Sequence, residues 1–286
     1  MDQRIINLFD EYTHKPLTRE EFIRKLALLT GSTAAALAVL PLLEVNYAHA
    51  ATVPQQDDRL LTEYITYPGE GTDVMRAYIA RPKAEGKYAA VMVVHENRGL
   101  NPHIEDVTRR AALEGFLAIA PDALSPLGGT PTDADKARGL FQQLDAKKTV
   151  LNFAKAFDYL NTRKDCTGKF GCVGFCWGGA MANNLAVQVP DLLASAPFYG
   201  RQPDVAEVSK IKASLQLHYA GKDDRVNAGI AAYEEALKNA NVSHQVFMYD
   251  SAQHAFHNDT APTRYNEEAA KLAWGRTMQF FKEKLK

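Results

Sequence analysis

Gly171-Cys172-Val173-Gly174-Phe175-Cys176-Trp177-Gly178-Gly179-Ala180 is the stretch from which the fold is read. Lys169 to Phe175 carries the β-branched and aromatic residues of a strand, and Ala180 to Val189 is small and apolar with helical character. Between them, Gly174-x-Cys176-x-Gly178 has the spacing of a nucleophile elbow with cysteine in place of serine. Such a turn is sharp and strained, so glycines two before and two after the nucleophile let the backbones pass without a Cβ clash. The sulfur is then held above the sheet at the N-terminus of the next helix. The dipole and free N–H groups there favour a thiolate and a developing oxyanion. The competing reading is a glycine-rich turn around an ordinary buried cysteine.

Outward from the elbow, strands and helices alternate. Leu60–Tyr67 and Val74–Arg81, separated by Pro68-Gly69-Glu70-Gly71, predict an antiparallel hairpin. Ala89–Val94 and Phe116–Ala120 are continuous apolar runs, as expected of strands buried on both faces. Helices are expected from Asn101-Pro102 to about Leu113, over Lys147–Asn161, Ala228–Lys238 and Arg264–Lys284, and further strands over Leu192–Tyr199, Ala213–Tyr219 and Gln245–Tyr249. This alternation predicts an α/β fold, a mostly parallel twisted sheet with helices on both faces, preceded by the antiparallel hairpin. Ligands bind beyond the C-terminal strand ends of such sheets. Polar clusters at residues 95–98, 121–125, 174–178, 221–225 and 251–258 all follow strand ends, so they are expected to form one site.

A thiol nucleophile needs a base, and the base needs an orienting partner. In elbow-bearing sheets the chain order is nucleophile, acid, histidine. Asp223, within Gly221-x-Asp223-x-x-Val226, and His254, within Ala252-Gln253-His254-Ala255-Phe256, follow Cys176 in that order. Asp224 and His257 compete with them on the same loops, Asp224 as a helix cap or solvated charge and His257 as a pocket or surface group. Asp122 is expected in a structural turn, and His14, His49, His103 and His244 carry no argument.

Four segments, GFCWGGA at the elbow, GKDDRV at the acid, YDSAQHAF at the histidine and VVHENRG after the third strand, together resemble the dienelactone hydrolase (carboxymethylenebutenolidase) family over residues 57–286. The resemblance implies an α/β-hydrolase fold with a triad of Cys176, His254 and Asp223. It also implies an oxyanion hole from the N–H groups of Trp177 and Asn97, and a glutamate, Glu96, that helps ionise the cysteine. Where the family carries an arginine for the substrate carboxylate, four residues after the histidine, this chain has Asn258. Arg98 is the candidate replacement, able to pair with Glu96 or bind an anion. His95 is expected packed at its strand end or lining the pocket, and Tyr199 as pocket wall. The implied activity is hydrolysis of lactones or small activated esters through an acyl-enzyme, with no cofactor. His254 would protonate the leaving alkoxide and then activate water. A general carboxylesterase or thioesterase and a non-catalytic thiol redox sensor are the alternatives.

The remaining composition narrows the class. The 286-residue chain is 46% hydrophobic with a net charge of −1, which gives no electrostatic reason to expect nucleic acid. Cys166, Cys172 and Cys176 form no C-x-x-C pair, so no metal site is expected; Cys166 and Cys172 read as packed thiols, a disulfide after export being the alternative. Residues 1–50 read as a leader and 51–286 as a single domain. Arg24-Lys25, an apolar run over 26–43 and Ala48-His49-Ala50 have the layout of an export signal, with no stable membrane span once it is removed. Thr18–Arg24 resembles the twin-arginine motif, but Glu20 replaces the second arginine. General secretion, a retained membrane-proximal helix and a vestigial leader of a cytoplasmic protein all stay open.

Overall fold

A computed structural model describes residues 1–15, 17–44 and 52–286. Its centre is one eight-stranded sheet in the order β1-β2-β4-β3-β5-β6-β7-β8. The strands are β1 (Leu60–Pro68), β2 (Val74–Pro82), β3 (Tyr88–Val94), β4 (Leu117–Pro121), β5 (Cys166–Phe175), β6 (Leu192–Phe198), β7 (Ser214–Lys222) and β8 (His244–Gln253). β1 and β2 pair antiparallel, as the hairpin signature predicts, and β2 meets β4 antiparallel; β4, β3 and β5–β8 run parallel.

The period of two is plain in β3. Val91 and Val93 enter the core beneath α4 (Pro102–Leu113) and α10 (Glu267–Lys284). Ala90, Met92 and Val94 enter the core beneath α6 (Ala146–Thr162), α7 (Trp177–Gln188) and α9 (Ile230–Asn239). Both faces are therefore apolar, which is why this strand shows no polar alternation in sequence. β4 and β5 flank β3 on opposite sides, so the chain reverses its direction of winding there. The crevice beyond the ends of β3 and β5 lies at that switch point. Glu96 and Cys176 follow these two strands.

The N-terminal segment forms three helices, α1 (Gln3–His14), α2 (Arg19–Thr30) and α3 (Thr33–Leu43). Asp2 caps α1, and Ile5, Leu8, Phe9 and Tyr12 line its buried face. Thr18 and Glu21 form a capping box on α2, so the twin-arginine-like residues are the capped first turns of a helix. The apolar run over 26–43 is broken at Gly31, whose φ of +87° ends α2; α2 and α3 meet at 110°. No single described helix is long and apolar enough to cross a membrane. The helices share a small core in which Tyr12 stacks on Phe22 at 4.4 Å. The Ala48-His49-Ala50 pattern lies outside the described residues. At Val53 the chain docks on α4, its N–H donating to Asp106 at 2.7 Å and its carbonyl accepting from Arg109 at 3.0 Å.

Candidate active site

The elbow forms where its glycines require it. Cys176 has φ +56° and ψ −113°, a strained conformation for a side chain with a Cβ. A Cβ on Gly174 would lie 2.0 Å from the Gly178 carbonyl oxygen, and one on Gly178 2.4 Å from that of Val94. Only glycine permits these crossings. The Cys176 N–H donates to the Phe198 carbonyl at 3.0 Å, which pins the turn to β6. Trp177 opens α7, so its own N–H has no acceptor within the helix. The Trp177 ring stacks on His95 at 5.4 Å and meets Phe141, on α5 (Ala134–Phe141), at 5.0 Å.

Asp223 and His254 meet as the chain order predicts. His254 Nδ1 donates to Asp223 Oδ2 at 2.5 Å, and Asp223 Oδ1 also accepts from the Val226 N–H at 3.3 Å. Asp223 thus both orients the histidine and caps the short helix α8 (Asp224–Asn227). Because Nδ1 carries the proton, the lone pair of neutral His254 is on Nε2, which is buried and has no hydrogen-bond partner. Asp224 is exposed, while His257 is buried against Phe175 at 4.7 Å and burial drives it well below the usual imidazole value.

The other predicted residues divide. Asn97 and Tyr199 line the same cavity as Cys176, Trp177 and His254, about 340 Å³ in volume. Tyr199 packs its ring 5.1 Å from that of His254. Glu96 and Arg98 line, with Cys176, a narrow crevice of about 10 Å³. Glu96 Oε2 accepts from Asn258 Nδ2 at 2.8 Å, and its buried Oε1 has no partner. Among the described residues, Arg98 makes no ion pair with Glu96. Two expectations need correction. His95 does not line the cavity; it is fully buried, its Nδ1 donating to the Glu96 carbonyl at 2.7 Å and its Nε2 accepting from Ala123 N–H at 3.1 Å. Asn258 does not face the cavity either. It is buried, and its Oδ1 accepts from Thr260, so its amide holds Glu96 in place. The 121–125 cluster also stays apart, because Asp122 accepts from Leu124 N–H at 3.0 Å and Thr130 N–H at 2.9 Å.

Three residues were missed in the sequence. His14, the last residue of α1, places Nε2 3.0 Å from Cys176 Sγ and its ring 4.7 Å edge-on to that of His254. Asp10, one turn earlier, lies 3.1 Å from His14 Nδ1 and 3.2 Å from Arg225 Nε. Arg264 is buried at the floor of the crevice, over the Phe9 ring at 5.1 Å, with its Nε unpartnered. α1 is held against the site by Asn97 Nδ2 donating to the Thr13 carbonyl at 2.7 Å and by Tyr12 donating to Asp135 at 2.9 Å. The amphipathic spacing of Ile5, Leu8, Phe9 and Tyr12 was the available signal.

His14, Cys176 and His254 are also a group whose candidate ligand atoms gather within 4.8 Å. The 3.0 Å between His14 Nε2 and Sγ is a hydrogen-bond separation. Nitrogen and sulfur ligands across a tetrahedral zinc stand roughly 3.5 Å apart. The His14–Cys176 contact is shorter than that ligand spacing. Cys166 and Cys172 are free thiols, and burial pushes both above the usual range.

A parallel sheet covered on both faces, with a strained residue at a strand-to-helix elbow and a histidine–carboxylate pair beside it, defines an α/β-hydrolase. Residues 75–285 match the model of the dienelactone hydrolase family. An Escherichia coli (strain K12) protein described as "Putative carboxymethylenebutenolidase" is 32% identical over 82% of this chain and 92% of its own length. A second protein of that strain, "Putative hydrolase fragment YghX", is 54% identical over 38% of this chain and 96% of itself. The crystal structure of a "Putative Dienelactone Hydrolase" from Klebsiella pneumoniae superposes with a TM-score of 0.70 at 28% identity, covering 78% of this chain and 99% of that one. The chain belongs to the dienelactone hydrolase family, and it is an ester-hydrolysing enzyme of the carboxymethylenebutenolidase type.

Proposed function

We propose that the protein hydrolyses lactones or small activated esters through Cys176, with a covalent acyl-enzyme and a Cys176–His254–Asp223 triad. The observation that carries this reading is the strained Cys176 at the N-terminus of α7, beside a histidine whose proton-bearing nitrogen is fixed on Asp223. Sγ attacks the carbonyl carbon. The Trp177 and Asn97 N–H groups receive the oxyanion, and losing one such donor typically costs roughly 3–4 kcal/mol of barrier. His254 moves the protons between sulfur, leaving alkoxide and water. Glu96, which has one unpartnered buried oxygen and lines the same crevice as Cys176, helps to ionise the thiol in this reading.

The cavity points to the substrate class. Lys15, Arg138, Arg201 and Arg225 line it; Lys15, Arg138 and Arg225 pair with Glu11, Asp135 and Asp10, while Arg201 has no carboxylate partner among the described residues. A volume of about 340 Å³ suits a small ester, and the charge suits one that carries an anionic group. Arg201 is thus the candidate to stand in for the arginine that the resemblance expects at Asn258. The test is to compare kcat/KM on a dienelactone, p-nitrophenyl acetate and an acyl thioester, with Cys176→Ala and Arg201→Ala alongside. The reading expects preference for the carboxylated lactone, a selective rise in its KM in Arg201→Ala, and no turnover in Cys176→Ala. Undiminished turnover in Cys176→Ala would remove the cysteine from the mechanism.

A further inference from the structure

The thiol has two imidazoles nearby and hydrogen-bonds to that of His14, which no sequence pattern singles out. The ring orientation of His14 is fixed by its own helix. Nδ1 lies 2.8 Å from the Asp10 carbonyl, 3.0 Å from Thr13 Oγ1 and 3.1 Å from Asp10 Oδ1. Oδ1 has no aligned hydrogen bond, so the carbonyl takes the proton and the carboxylate serves as a nearby counter-charge. A carbonyl only accepts, so Nδ1 carries the hydrogen and the lone pair of neutral His14 is on Nε2. That lone pair points at Sγ, 3.0 Å away. The contact is therefore S–H···N before proton transfer and S⁻···H–N⁺ after it.

We propose that His14 is a second catalytic histidine, which takes the Cys176 proton in the resting enzyme and leaves His254 free as the base for water. The helix ends favour this ion pair: the imidazolium lies at the C-terminus of α1 and the thiolate at the N-terminus of α7. The charged and titratable groups around His14 are Asp10 on its own helix, Cys176, His254, Arg225, which pairs with Asp10, and Glu96, Arg98 and Arg264, which line the same crevice. Burial pushes His14 down, but the Cys176 and Asp10 charges outweigh it and hold the ring above its ordinary value.

The proposal rests on the Cys176 reading above and divides the acid and base roles that a single imidazole would alternate between. The S–H bond breaks and the His14 Nε2–H bond forms before substrate binds. Sulfur attacks, the C–O bond of the ester breaks, and His14 gives its proton to the leaving alkoxide. Neutral His254 then takes a proton from water as the hydroxide oxygen bonds to the thioester carbon. The C–S bond breaks to restore the thiolate, the acid product ionises to solvent, and the His254 proton passes to His14. The scheme requires residues 1–15 to stay on the working enzyme.

The test uses the full-length chain, comparing wild type with His14→Gln, His14→Asn and Asp10→Asn, each checked for folding by thermal melt. Two readouts are followed against pH: the iodoacetamide alkylation rate of Cys176, localised by mass spectrometry, and kcat/KM on p-nitrophenyl acetate. In either folded His14 variant, alkylation near neutral pH should fall on the order of tenfold or more, and kcat/KM should fall on the order of 10²-fold. Asp10→Asn should shift the same profiles less. An unchanged alkylation profile, or faster hydrolysis than wild type because α1 merely covers the site, would overturn the proposal. A dead Cys176→Ala beside an unaltered His14→Gln removes His14 alone, whereas an active Cys176→Ala removes the nucleophile itself.

Discussion

Asn258 Nδ2 donates to Glu96 Oε2 at 2.8 Å, across two loops that leave different strands. At the position where the resemblance expects a substrate-binding arginine, the chain thus has a residue that grips the glutamate from the side. Glu96 Oε1 already lacks a partner.

Asn258→Ala would leave both Glu96 carboxylate oxygens without a donor. The expected cost is about 1–3 kcal/mol of unfolding free energy, measured by urea denaturation. A change below the measurement error would show that Glu96 does not depend on this amide.

Gly178→Ala forces a Cβ to 2.4 Å from the Val94 carbonyl oxygen, where only backbone could give way. A loss on the order of 3 kcal/mol or more is expected, with a lower melting temperature. Gly275, inside α10, has no heavy atom within 4 Å of the equivalent Cβ. There, alanine should stabilise by roughly 0.5–1 kcal/mol. Equal effects at the two positions would contradict the steric account of the elbow.

Burial lowers His218 from 6.5 to about 3, with Arg276 adding to the shift. The folded state therefore resists a proton that the unfolded chain accepts. The sign follows: this contribution is intact above pH 6.5 and is lost as pH falls toward about 3, at up to roughly 1.4 kcal/mol per pH unit. His218→Gln should flatten the dependence of unfolding free energy on pH across that window. An unaltered slope would show that His218 is not the group responsible.

The elbow was legible because its geometry is local: Gly174, Cys176 and Gly178 lie within five residues, and their steric demands read directly from spacing. Asp223 and His254 were legible because each closes a strand, and parallel sheets gather strand ends. Asn258 was misplaced, and of the two readings of His95 only the packed one holds, because spacing cannot tell a side chain facing a cavity from one buried behind it. His14 was missed for a different reason. The apolar run after Arg24-Lys25 has the layout of a leader, and the amphipathic α1 that precedes it carries no catalytic motif. Its contact with Cys176 joins residues 162 apart in the chain, which no local pattern encodes.

The most direct test of the central claim is intact-protein mass spectrometry during turnover of p-nitrophenyl acetate, beside Cys176→Ala. The account predicts a transient acetyl adduct that maps to Cys176 and is absent from the variant, which should not turn over. An adduct on another residue, or steady turnover by Cys176→Ala, would contradict it.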